Sequence, residues 1–155
     1  MIKTFLLRLW RILPLPFFLR VGLIWLTTPK YLIGVDALIL NDKNECLLFK
    51  HSYRKEYPWG LPSGYLQRHE HPDQAIKREI LEESGYVVRI TRLLEIYVSK
   101  QMPSITLIFL GELSDERDFM PSSEVLEARF FPVDRLPKLL SDQQEIIEKH
   151  LHSID

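Results

Sequence analysis

The chain has 155 residues, 46% of them hydrophobic and 26% charged, with a formal net charge of −1. That length suits one domain with a core of its own, and the charge balance lacks the basic excess of a nucleic-acid-binding surface. A single cysteine, Cys46, excludes an internal disulfide and any zinc site built from paired cysteines. It lies in an apolar run, reads as a buried strand residue, and suits a reducing, cytoplasmic setting.

Residues 1–30 carry Lys3, Arg8, Arg11, Arg20 and Lys30 with no acidic side chain, interleaved with phenylalanine, leucine, isoleucine and tryptophan. A membrane-spanning helix needs ~20 apolar residues. The run from Ile12 to Leu26 is shorter and is broken by Pro14, Pro16 and Arg20. Its Thr27-Thr28-Pro29 end is a poor signal-peptide cleavage site. The expectation is a helical extension of two short amphipathic helices hinged at Leu13–Pro16. It would pack on the domain or form a homodimer surface, with peripheral contact to an anionic membrane as the alternative.

From residue 31 the chain reads as one α/β (α+β) domain, 31–155. Tyr31 to Leu40 is β-branched and apolar, a strand. Asn41 to Asn44 is a turn by composition, and Glu45 to Lys50 is the returning strand. His51 to Tyr57 forms a polar, aromatic loop, and Trp59-Gly60-Leu61-Pro62 leads into the most informative stretch. There Pro72 suits the first position of a helix running to Ser84 and stopping at Gly85. His71 takes the cap position and Asp73 sits near the positive helix end. Ala75, Ile76, Ile80 and Leu81 give the buried stripe. Further strands are expected at 87–98 (with a break), 105–113 and 128–132, and a closing helix at 141–152 with Ser141 as its cap.

Glu79, Glu82 and Glu83 are spaced three and four apart, on one face of that helix. Each like-charge pair costs only about 0.2–0.5 kcal/mol, so the triplet alone is an ordinary solvated face. A hard divalent cation would reverse the sign of the repulsion. The wider pattern is more specific: Gly64, five residues to Glu70, seven to Arg78-Glu79-Ile80, then Glu82-Glu83 and Gly85-Tyr86.

This stretch resembles the complete Nudix box, a metal-binding loop–helix–loop that cleaves diphosphates linked to another moiety. The resemblance implies an α/β/α sandwich with a mixed sheet and a Mg²⁺ or Mn²⁺ cofactor. The substrate would be a small nucleoside diphosphate derivative. It maps metal ligation onto Glu79, Glu82 and Glu83, the Ser63 backbone carbonyl and an additional acid, Glu124, preferred over Glu127. Glu79 is a candidate base for activating water, with Glu82 sharing the catalytic assignment, and the choice of base stays open. Arg78 would orient a neighbouring glutamate. Glu70 would support the loop or an outer metal shell, and Gly64 and Gly85 would meet backbone requirements. Arg54, Tyr53 and Tyr57, with His51 upstream, lie where the family places substrate contacts: Arg54 for a phosphate, the tyrosines for stacking on a base. Three positions depart from the pattern. Ser63 replaces a first glycine, His69 stands where glycine is common, and Tyr86 replaces an aliphatic residue. His69 and His71 lack the further ligands of a metal site and read as surface. The rival reading is a Nudix domain that senses a nucleotide without turnover.

Overall fold

In the computed structural model, residues 16–100, 102–115 and 118–151 are described. Helix α1 (Phe17–Thr27) is followed by strands β1 (Leu32–Ile39), β2 (Glu45–His51), β3 (Trp59–Gly60) and β4 (Ser63–Tyr65). Helix α2 (Pro72–Ser84) comes next, then β5 (Val87–Val98), β6 (Ser104–Asp115) and β7 (Val125–Pro132), with α3 (Ser141–Leu151) last. Four strands pair in the order β4-β1-β6-β5, and three in the order β3-β2-β7. The β1–β6 pair is parallel and the other pairs are antiparallel, so the first sheet is mixed.

Period-2 alternation explains the layering. Val35, Ala37 and Ile39 of β1 join Leu47 and Phe49 of β2 and Phe109 of β6 against Ala75, Ile76 and Ile80 of α2. Their intervening neighbours, Leu38, Cys46, Leu48 and Ile108, point the other way and pack with Ile146 and Ile147 of α3. A strand buried on both faces reads as a continuous apolar run, as β1 and β2 do. Full burial of one such side chain stabilises by about 1.5–3 kcal/mol. Cys46 is fully buried, and burial pushes its thiol up to about 12.

Helix α2 has the expected limits. His71 caps it without a side-chain hydrogen bond, and Gly85 (φ 75°) closes it through its N–H to the Leu81 carbonyl at 2.9 Å. Two details differ from the sequence reading. Leu81 is 46% exposed, and Ser84 takes the fourth buried place, its hydroxyl donating to the Ile80 carbonyl at 2.6 Å. In α3 the N–H of Gln144 donates to the Leu140 carbonyl, so Leu140 holds the cap position and Ser141 lies in the first turn. The expected break in β5 takes the form of register shifts within one continuous strand. The two short strands β3 and β4, flanked by Pro58 and Pro62, had no periodicity long enough to read.

The chain divides into two units, Met1–Lys30 and Tyr31–Asp155. In the first, none of the α1 side chains is buried, and Phe17, Trp25 and Leu26 are largely exposed. The Leu13–Pro16 hinge and the helix expected before it fall, apart from Pro16, outside the described residues. Among the described residues no helix is long and apolar enough to cross a membrane.

Candidate active site

Gly64 owes its place to close approach. Its φ is not in the left-handed region; instead, a β-carbon there would overlap the Glu79 side chain. The bare backbone lets Glu79 Oε1 accept the Tyr65 N–H at 3.2 Å. Ser63 likewise has no positive φ, so serine fits this position without strain. His69 is different, with φ 64°, a conformation that glycine adopts freely. Gly85 combines its positive φ with contact to Met120, whose Cε would lie 3.1 Å from an added β-carbon.

Arg78 organises the acids. Its Nε and Nη2 donate to the two oxygens of Glu70 at 2.8 and 3.0 Å, a bidentate fork. Nη2 also donates to the Tyr65 carbonyl at 3.2 Å, while Nη1 lies 3.0 Å from Glu79 Oε1 and 3.2 Å from Glu82 Oε2. The bonds to Arg78 hold the Glu70 carboxyl below the usual carboxylate range. One guanidinium therefore ties the loop at 65–70 to the acidic face of α2.

Glu83 has no such partner. Its Oε2 is buried without a hydrogen bond. Burial first, then the charges of Glu79, Glu124 and Glu82 against an opposing effect of Arg54, pushes its carboxyl up to about 7. Glu124 is brought near by a tether between loops: Ser52 N–H donates to the Glu124 carbonyl and Ser52 Oγ to the Ser123 carbonyl, both at 2.8 Å. The same tether carries Tyr53 and Arg54. Arg54 Nη1 is itself buried and without a partner. Glu127 instead pairs with Lys50 and Arg129.

These groups open onto a cleft of about 600 Å³, lined among others by Ser63, Gly64, Glu79, Glu83, Glu124, Tyr53 and Arg54. Not every expected residue reaches it. Tyr57 lies against Lys138, whose Nζ is 4.5 Å from its ring centroid, and does not line the cleft. Glu82 is 58% exposed and turned onto Arg78. His71 pairs with Asp73 at 3.3 Å in solvent, and neither His69 nor His71 lines the cleft. His51 packs under the loop, 2% exposed, with both ring nitrogens unpartnered. Burial, with Arg54 second, lowers its pKa to about 4, so the ring is neutral.

Asp36, Asp142 and Gln143 are among the lining residues that the sequence analysis did not single out. Asp36 carried a usable signal, a lone charge within an apolar strand buried on both faces.

The donor set suits a hard divalent ion. It comprises an orphaned buried carboxylate oxygen and neighbouring carboxylates whose repulsion a cation would relieve. Among the described residues, though, no three acid, histidine or cysteine side chains already converge as ligands. The Arg78 contacts account for that: Glu79 and Glu82 are engaged by the guanidinium.

A family model of the NUDIX domain matches residues 30–150. An ADP-ribose pyrophosphatase of Methanocaldococcus jannaschii is 31% identical over 127 residues, covering 77% of this chain and 72% of the relative. A candidate 8-oxo-dGTP diphosphatase of Bacillus subtilis is 29% identical over 108 residues, covering 69% of this chain and 70% of the relative. Among solved structures, a NUDIX hydrolase from Nitrosomonas europaea superimposes with a TM-score of 0.70 at 26% identity, covering 81% of this chain and 74% of the other.

Proposed function

The chain belongs to the Nudix hydrolase family, and on that premise we propose that it cleaves the diphosphate bond of a nucleoside diphosphate linked to another moiety, using Mg²⁺ or Mn²⁺. The observation that carries the reading is Glu83, a cleft-lining residue whose Oε2 is buried, unpartnered and near the charges of Glu79, Glu124 and Glu82. A folded protein keeps such a group where a cation or a proton satisfies it.

Glu79, Glu82, Glu83 and the Ser63 carbonyl would hold the ion, with Glu124 as a further ligand. Bound there, the ion would neutralise charge on the diphosphate oxygens as a Lewis acid. Glu79 is fixed in direction by Tyr65 N–H and Arg78, which leaves Oε2 as the atom that takes the proton from the attacking water. Water adds to one phosphorus, the bridging P–O bond breaks, and the leaving phosphate departs with the electron pair. Arg54, which lines the cleft, binds a phosphate oxygen through its guanidinium. Tyr53, 61% exposed at the cleft, stacks on a base. Arg78 acts through the glutamates it holds.

The test is a phosphate-release screen with Mg²⁺ or Mn²⁺ over ADP-ribose, nucleotide sugars, nucleoside triphosphates and dinucleoside polyphosphates, run beside a Glu82→Gln/Glu83→Gln protein. Turnover by the wild type and its loss in the variant are expected. Equal rates would refute catalysis by this helix, and no turnover on any compound would leave a nucleotide sensor.

A further inference from the structure

Beyond the acids of α2, the same cleft contains a second polar pole. Asp36 projects from β1 on the face shared by Gly34 and Leu38, opposite Ser63 in register. Asp142, Gln143 and Ile146 of α3 line the cleft with it, as do Tyr97, Ser104 and Thr106 from β5 and β6. This arrangement is held at both ends of α3. Gln143 Oε1 accepts the Leu61 N–H at 3.3 Å, while Lys149 and His150 hold Glu95 of β5 at 2.8 and 3.0 Å.

The chemistry of the pole is distinct. The Asp36 carboxylate has no hydrogen-bonding partner among the described residues, and burial first and Asp142 second push it up to about 7, against Arg54. Arg54 lines the same cleft as Asp36 and Glu83. Gly34 keeps the floor open: a β-carbon there would lie 3.2 Å from Thr106 Oγ1. A part-buried carboxylate, a second acid on the facing helix and a wall of hydroxyls offer acceptors to a ligand rich in O–H donors. They repel an additional phosphate.

We propose that Asp36 and Asp142 form a specificity subsite for a neutral, hydroxyl-bearing group, a sugar, attached to the far side of the diphosphate. The subsite selects diphosphates flanked on both sides over free nucleoside triphosphates. This inference rests on the hydrolase reading for its orientation of substrate, while Asp36 and Asp142 take no part in breaking the bond. A polar site built to accept a substrate hydroxyl discriminates against ligands that lack one, because its buried groups are then left unpaired.

The test compares kcat/KM for ADP-ribose and for dGTP in wild type, Asp36→Asn and Asp142→Asn. The asparagine variants keep side-chain shape while removing the charge, and circular dichroism and Tm check their folding. The wild type should favour ADP-ribose, and the ADP-ribose to dGTP ratio should fall tenfold or more in each variant. An equal loss on both compounds, with a raised Mg²⁺ requirement, would place Asp36 at the metal and overturn the proposal, as would an unchanged ratio. Calorimetric binding of the non-hydrolysable α,β-methylene analogues of ADP-ribose and dGTP separates the two readings. Selective weakening for the ADP-ribose analogue without any turnover by the wild type would sustain the subsite and sink the hydrolase. Equal binding in all three proteins would sink the subsite.

Discussion

Replacing Gly64 with alanine should cripple turnover at a modest cost in stability. The added β-carbon overlaps the Glu79 side chain, so Glu79 must swing away from the loop. The swing breaks the 3.2 Å bond from Tyr65 N–H and the 3.0 Å contact with Arg78 Nη1. A hydrogen bond to a charged group contributes about 1.5–3 kcal/mol, and exposure at Tyr65 argues for the low end. The backbone of Gly64 suits alanine, whose lower unfolded-state entropy returns about 0.4–1 kcal/mol. Two such interactions at the low end, less that return, leave a net loss of about 2–2.5 kcal/mol, roughly 5–10 °C in Tm. A displacement of about 1 Å in a catalytic group costs on the order of 100-fold in rate. The assay is a double-mutant cycle on kcat/KM with Gly64→Ala, Glu79→Ala and the pair. If the β-carbon acts through Glu79, it adds no further loss once Glu79 is alanine. Additive losses, or a Gly64→Ala protein with wild-type rate, would refute the steric coupling.

Gly85→Ala should lose about 1–2 kcal/mol from left-handed strain, with Met120 crowding added, read as a lower Tm. His69→Gly should raise Tm or leave it unchanged, since φ 64° costs a histidine more than a glycine; a clear drop would show that the imidazole contributes to the loop. Ile80→Ala should cost about 2–5 kcal/mol, whereas Leu81→Ala, at 46% exposure, should cost far less in chemical denaturation. His51 supplies a pH dependence. Its pKa is lowered from 6.5 to about 4, so between those values the unfolded chain binds more protons than the folded one. The His51 contribution to stability is then complete above pH 6.5 and is lost as pH falls towards 4. Denaturation midpoints across that window should slope less in His51→Gln, and an identical slope would exclude the buried neutral ring.

Long-period features were legible in the sequence. The box helix, its Gly85 stop and the β1–β2 hairpin all follow from patterns of a dozen residues or from a proline and a glycine in diagnostic places. Leu81 and Ser84 exchanged roles because they sit at the margin of the apolar stripe, where a small tilt of the helix decides burial. The site was legible as far as α2 reached. Glu79, Glu83, Ser63 and Gly64 line one cleft because a single loop–helix unit carries them. Arg54 and Glu124 join them through the Ser52 tether, a contact between loops about seventy residues apart that no local pattern encodes. Tyr57 fell on the Lys138 side of the same loop for an equally non-local reason. Asp36 was overlooked because its strand reads as core, and only the approach of α3 turns that face into the wall of a cleft.

The most direct measurement is the rate of ADP-ribose cleavage as Mg²⁺ is added back to chelator-treated protein, in wild type and in Glu83→Gln. Wild-type activity should be absent in chelator and return with Mg²⁺, and Glu83→Gln should fall on the order of 100-fold or more with its fold intact. Activity that survives the chelator, or a Glu83→Gln protein as fast as wild type, would contradict a metal site on this helix.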